Sequence, residues 1–332
     1  MKNLYILLWM LLSLSQVHGE DWRDRLSRCL LMADFATADS ILKAEPQSVT
    51  LLFYRCSYEN TRKDFYENLI DDAALEASAD TLIRAAEDSL MYAQTAQARA
   101  RYLFYTGSAY GFLAMHRGRS GHYASALAAG YKAVDKLQKA LELDSTLVDA
   151  ALGLGAYYYW TSARLTWLPF WTDRREEGLR LVSRSAEKGR YSRYMAIHQL
   201  VYMLLDAGQY EQAEHYALTG YHAFPESPYM LWALSHVYMK EKQLDKAVAI
   251  YRKLEKVLLA LKEPNPHHLV VCRARLADML ARRGDCDLVR MRRRQIMEND
   301  WYKARRDDDE IERLLRETDA RCAPAEAGPA PQ

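Results

Sequence analysis

An all-α array of paired helices is the fold class this sequence predicts, and three observations predict it. Gly and Pro are scarce, at 14 and 9 of 332 residues, whereas Leu, Ala, Glu, Lys and Arg, which suit helix, are plentiful. From Tyr194 onward the chain repeats itself with a period of about 34 residues. The matched positions are apolar or small and fall at helical spacing, so each period reads as a pair of helices rather than as strands. No sheet is expected.

The segment Met1–Gly19 carries one Lys, an apolar run from Leu4 to Leu14, and the polar and small residues Ser15, Gln16 and Gly19. That order predicts a secretory signal peptide, 1–19, ending at Gly19; an amphipathic first helix is the alternative. The run is too short for the roughly 20 residues that a membrane-spanning helix needs. No Cys follows it directly, so no lipid anchor is expected and the mature chain is placed in the periplasm or outside the cell. Phe35, Ala38 and Leu42 before Pro46 predict the second helix of an early pair. A helix over Arg99–Ala114 is joined by a basic loop, Met115–Tyr123, to a long helix ending at Asp144.

The next unit, 148–193, is interrupted. Ala151, Leu154, Gly155 and Tyr158 open it on schedule, but 20 positions separate Tyr158 from Gly178 where the repeat spacing is 9. The extra segment follows Tyr157, Tyr158 and Tyr159 and holds Trp160, Trp167, Leu168, Pro169, Phe170 and Trp171. Insertions in repeat arrays map to one edge, so this segment is either a plug packed on its neighbours or a lid over a binding pocket. The candidate binding residues are Tyr158, Trp160, Trp167, Phe170, Trp171 and Tyr194.

Two regular units follow, 194–227 and 228–261. In the first, Ile197, Leu200 and Leu204 lie on one helix, Gly208 sits in the turn, Tyr210 and Ala213 on the second helix, and Pro225 closes the unit. Gly208 can take the left-handed conformation that ends a helix, Ala213 lets two backbones approach, and Pro225 cannot continue a helix. The second unit repeats this one period on with Leu231, Leu234, Tyr238, Leu244 and Ala247, without the turn Gly or closing Pro. After Pro264 and Pro266, the residues Arg273, Leu276, Ala277, Leu280 and Gly284 outline one more unit. A helix from about Cys286 to Trp301 and a return from Asp307 to Ala320 would place Cys286 and Cys322 at one end of a hairpin, which makes them the candidate disulfide. Ile311, Leu314 and Leu315 form the stripe that seals the last unit, and the tail over 323–332 reads as disordered.

Gly208, Ala213 and Pro225, in register with the positions one period on, resemble the tetratricopeptide repeat, and the chain looks like an exported bacterial member of that family. Sel1-like or HEAT-like arrays are the alternatives. The resemblance implies a right-handed α-α superhelix of five or six helix pairs with atypical ends, spanning 20–322. It further implies a non-catalytic interaction scaffold that takes a protein or peptide in a concave face. A looser resemblance, resting on export and an interrupted repeat, is to transporter-associated periplasmic tetratricopeptide-repeat proteins. It implies instead a pocket for a small apolar ligand, closed by the aromatic insertion over 159–171.

The remaining patterns exclude more than they indicate. With 45 basic against 44 acidic side chains the net charge is +1, so no field draws the chain to nucleic acid. The five cysteines, at 29, 56, 272, 286 and 322, form no close ligand pair, and no structural metal or other cofactor is expected. No G-x-S-x-G, H-E-x-x-H or phosphate-binding Gly loop occurs, so no enzyme is expected. His215 and His222 are too far apart on their helix to share a metal. The basic cluster Arg290, Arg292, Arg293, Arg294, Lys303, Arg305 and Arg306 precedes an acidic stretch and reads as an internally compensated face.

Overall fold

The computed structural model describes residues 21–167, 169, 172–304 and 309–323. The expected signal peptide, Phe170, Trp171 and the tail beyond 323 lie outside the described residues. Every regular element among those described is a helix. In chain order they are α1 (Trp22–Leu31), α2 (Phe35–Ala44), α3 (Val49–Tyr66), α4 (Ala73–Met91), α5 (Ala96–Arg119), α6 (Tyr123–Leu143), α7 (Ala150–Leu165) and α8 (Arg175–Lys188). The second half holds α9 (Arg193–Asp206), α10 (Tyr210–Ala223), α11 (Pro228–Lys240), α12 (Leu244–Ala260), α13 (Pro266–Arg283), α14 (Cys286–Met297), α15 (Asp300–Ala304) and α16 (Asp309–Cys322).

Consecutive helices pack on one another from α1 to α14, as an all-α array of stacked helix pairs. Among the described residues they make seven pairs, one or two more than the five or six read from the sequence; α3 and α4 form the pair that the sequence reading did not outline. Local chemistry explains the regular pairs. Three residues join α9 to α10, and Gly208 among them has φ +72°. Lys242, one period later, takes the same left-handed conformation at φ +59°, so the turn survives without its Gly but with the strain a Cβ brings. Ala213 and Ala247 are fully buried where their helices cross. At α11, Ser227 caps the amino terminus by accepting from the Met230 amide, and Pro228 occupies the first turn.

The expected basic loop over 115–123 is corrected. Helix α5 runs on to Arg119, because its last turn has partners on the preceding helices: His116 lies 3.1 Å from the Asn60 side chain, Arg117 pairs with Glu76 and Arg119 with Asp64. Only three residues, 120–122, remain as a turn.

Two features come from distant parts of the chain. The front helices meet the linkers of the second half: Ser227 Oγ donates to the Leu31 carbonyl at 2.6 Å, Tyr66 Oη to the Glu263 carbonyl at 2.9 Å and Asn265 Nδ2 to the Phe65 carbonyl at 2.5 Å. Tyr229 completes the apolar core of α1–α3. At the other end α16 packs on α13, with Ile311, Leu314 and Leu315 against Val270, Ala274 and Tyr302. Cys286 and Cys322 are joined by a disulfide, their Cα atoms 5.4 Å apart. Arg292 and Arg293 of the basic cluster pair with Glu255 and Asp319, and Lys303 with Asp300.

Candidate binding surfaces

The interrupted pair absorbs its extra residues by lengthening α7 and by a nine-residue connection, 166–174. Its helices cross at two glycines. A Cβ on Gly155 would stand 2.7 Å from the Gly178 carbonyl oxygen, and one on Gly178 would stand 2.7 Å from the Gly155 carbonyl oxygen. The insertion therefore sits beyond an unusually close crossing.

That crossing decides where the aromatic residues go. Tyr158 is 3% exposed; it accepts from Gln138 Nε2 at 2.5 Å, and the Arg174 guanidinium lies 3.3 Å from its ring centroid. Tyr159 is fully buried, its hydroxyl 2.8 Å from both the Met203 carbonyl and the Asp206 carboxylate. Burial pushes its phenol well above the ordinary range, so it stays a donor. Trp160 is partly buried edge-on against Tyr159, and Tyr194 packs edge-on against Phe224. Trp167 is different: it is 76% exposed.

Trp167 has exposed apolar company. Tyr123, Leu127 and Tyr131, at four-residue spacing along one face of α6, are 75%, 52% and 63% exposed. Helix α6 runs antiparallel to α7: Leu137 lies beside Gly153, while Gly130 lies under the Tyr157 ring. The first turns of α6 thus lie toward the end of α7 that leads into Trp167. Between His122 and Lys132 the chain has no charged residue.

A second surface lies on the first helices of the later pairs. His198 on α9 and Trp232 on α11 are one period apart, as are Tyr202 and His236. The repeat stacks them side by side. Tyr202 Oη lies 3.0 Å from His236 Nδ1, and the rings of His198 and Tyr202 are 5.0 Å apart. Trp232 stacks on His236 at 5.8 Å and 21° and meets His268 of α13 edge-on at 6.1 Å. Burial holds His198 down to about 4 and His236 to about 3, the latter aided by the nearby Arg275. His236 is therefore neutral at pH 7. Tyr202 Oη and His236 Nδ1 share one hydrogen bond, whose direction follows the tautomer of the neutral ring.

Sequence reading singled out the insertion and passed over this ladder. The signal was present: the period that pairs Ala213 with Ala247 also pairs His198 with Trp232 and Tyr202 with His236. Among the described residues no His, Cys, Asp or Glu cluster could hold a metal ion, and no helix is long and apolar enough to cross a membrane.

No protein-family model and no curated protein matches the chain. Solved structures do resemble it. The type IV pilus biogenesis factor PilW is 15% identical with a TM-score of 0.49, over 78% of this chain and 98% of that one. Pseudomonas aeruginosa PilF is 17% identical with a TM-score of 0.45, over 73% and 98%. Aspartyl phosphate phosphatase F from Bacillus subtilis is 12% identical with a TM-score of 0.44, over 92% and 80%. At these identities the likeness is one of fold, and nothing about function passes from it.

Proposed function

We propose that the chain is a non-catalytic, exported scaffold that binds a protein partner through the aromatic face made by the start of α6 and the turn after α7. One observation carries this reading: Tyr123, Leu127, Tyr131 and Trp167 are each more than half exposed, on a stretch of α6 without charge. Large aromatic side chains left in water on a soluble domain are the residue types that anchor protein interfaces. A partner's apolar segment would gain by covering them. Export is supported by the apolar run Leu4–Leu14 before Gly19 and by the Cys286–Cys322 bond, which suits an oxidising compartment.

The alternative of an apolar ligand closed in by the insertion is less well supported. Tyr158 and Tyr159 are engaged in packing, and Trp167 stands in solvent. Photo-crosslinking tests the scaffold reading, with a benzophenone amino acid at position 127 and, as control, at the exposed Lys139. A discrete adduct specific to position 127, lost in the Tyr131→Ala/Trp167→Ala double variant, is the expected result. Identical adducts from both positions would remove it.

A further inference from the structure

The docking face on α6 has a symmetry that bears on what covers it. Tyr123, Leu127 and Tyr131 follow one another at four-residue intervals, so Leu127 stands midway between two tyrosines, about 6 Å of helix from each. The residues between are small throughout: Ala124, Ser125 and Ala126 precede Leu127, and Ala128, Ala129 and Gly130 follow it. The stretch therefore presents much the same profile from either end. Ala124 and Ala128 are themselves exposed and form a low row beside the Tyr–Leu–Tyr ridge. Ridges at four-residue spacing and the grooves beside them are the features by which two helices interlock.

Charge and area point to the same occupant. A two-fold axis sets every group near it against its own copy, which penalises a charged patch and suits this uncharged one. Lys132, the first charge after the stretch, is drawn back over the Tyr110 ring of α5, 5.0 Å from its centroid. At their exposures Tyr123, Leu127, Tyr131 and Trp167 leave about 400–600 Å² of side-chain surface in water on each copy. Two copies together would remove about 800–1,200 Å², which matches a small reversible interface and falls short of a permanent one.

We propose that this face is covered by a second copy of the chain, the two α6 helices crossing antiparallel about a two-fold axis at Leu127. Leu127 then meets the partner's Leu127, and each Tyr123 meets the opposite Tyr131, with the ridge of one helix lying on the alanine row of the other. The inference rests on the docking reading and names the partner within it. Association through so small an area depends on concentration, so the pair forms where the chain is abundant or held close together.

Sedimentation equilibrium of the purified chain tests this, with a charge placed at the axis. The unaltered chain should dimerise reversibly with a dissociation constant on the order of 1–100 μM. Leu127→Glu and Leu127→Lys each set like charges against each other at an exposed position, where folding is not at risk, and each should weaken the dimer about tenfold or more. Mixed in equal amounts, the two variants should associate about tenfold more tightly than either alone, because the axis then pairs a carboxylate with an ammonium. Tyr92→Ser, which removes an equally exposed ring at the end of α4, should change nothing. A chain that stays monomeric up to about 1 mM, well above what such an interface needs, overturns the proposal, as do variants that dimerise like the unaltered chain or a mixture no tighter than its components. The mass of the adduct at position 127 judges the docking reading separately: twice the chain's mass supports the dimer, an adduct with a different protein overturns the dimer alone, and no adduct removes both.

Discussion

The regular pairs α9–α12 and the interrupted pair α7–α8 solve the same packing problem with different residues. In the regular pairs Ala213 and Ala247 sit buried at the crossing, and a methyl group is the spacer between backbones. In the interrupted pair Gly155 and Gly178 face each other's carbonyl groups with no room for a Cβ. The difference shows how a solenoid tolerates an insertion: helix approach is fixed on one side of the extra residues, and these can then extend α7 and leave Trp167 outside without disturbing the stack.

Substitutions can break or sharpen that comparison, and the largest effect belongs to the regular side. Glu255 on α12 is buried and bonds Arg273 and Arg292, each at 2.8 Å. Glu255→Ala strands two guanidinium groups and should cost about 3–5 kcal/mol in chemical denaturation. A cost below that of a surface ion pair would mean the regular stack does not depend on this network. Gly155→Ala tests the interrupted side directly: the new methyl meets backbone, so a loss of about 1–3 kcal/mol is expected. A neutral outcome would show that the glycine crossing is not a constraint.

Acid response separates the regions again, because α7 and α8 contain no histidine. His116, His198 and His236 are held down to about 4, 4 and 3, chiefly by burial. The unfolded chain therefore takes up protons first, near the free value of about 6.5. Their contribution to stability is full above that pH and falls away as pH drops toward 4. Denaturation midpoints measured from pH 7 to pH 4 should decline, and His236→Asn should flatten the decline. The smallest effect compares the regular pairs with each other. Lys242→Gly relieves a left-handed residue where the preceding repeat has Gly208, and should raise stability by about 0.5–1 kcal/mol. A loss there would mean that the Lys242 side chain contributes more than its backbone strain costs.

Much of the fold was legible because it is written locally and repeated. Gly208, Ala213 and Pro225 each act within one pair, and the next unit gives the same instruction through Ala247 and the Lys242 turn. Cys286 and Cys322 were readable for a related reason, both belonging to the closing helices. The candidate site was read less well. Tyr158 and Trp160 stood out by type, but aromatic type does not say which way a ring faces; Tyr158 and Tyr159 turn inward beside the glycine crossing, whereas Trp167 stands exposed. The basic loop was misread because His116, Arg117 and Arg119 look solvated until α3 and α4 supply Asn60, Asp64 and Glu76.

By itself, then, the sequence determined the helix-pair period, the turns and crossings of the regular units and the compensated charge of the last helices, since each depends on residues within a few turns of one another. Only the tertiary structure decided that α1–α3 rest on linkers from the far half of the chain, as Phe65 does on Asn265. It also decided that His198, Tyr202, Trp232 and His236 share one face. The physical reason is that stacking converts a repeat period into neighbours in space, and which side chains are then covered depends on every helix that arrives beside them.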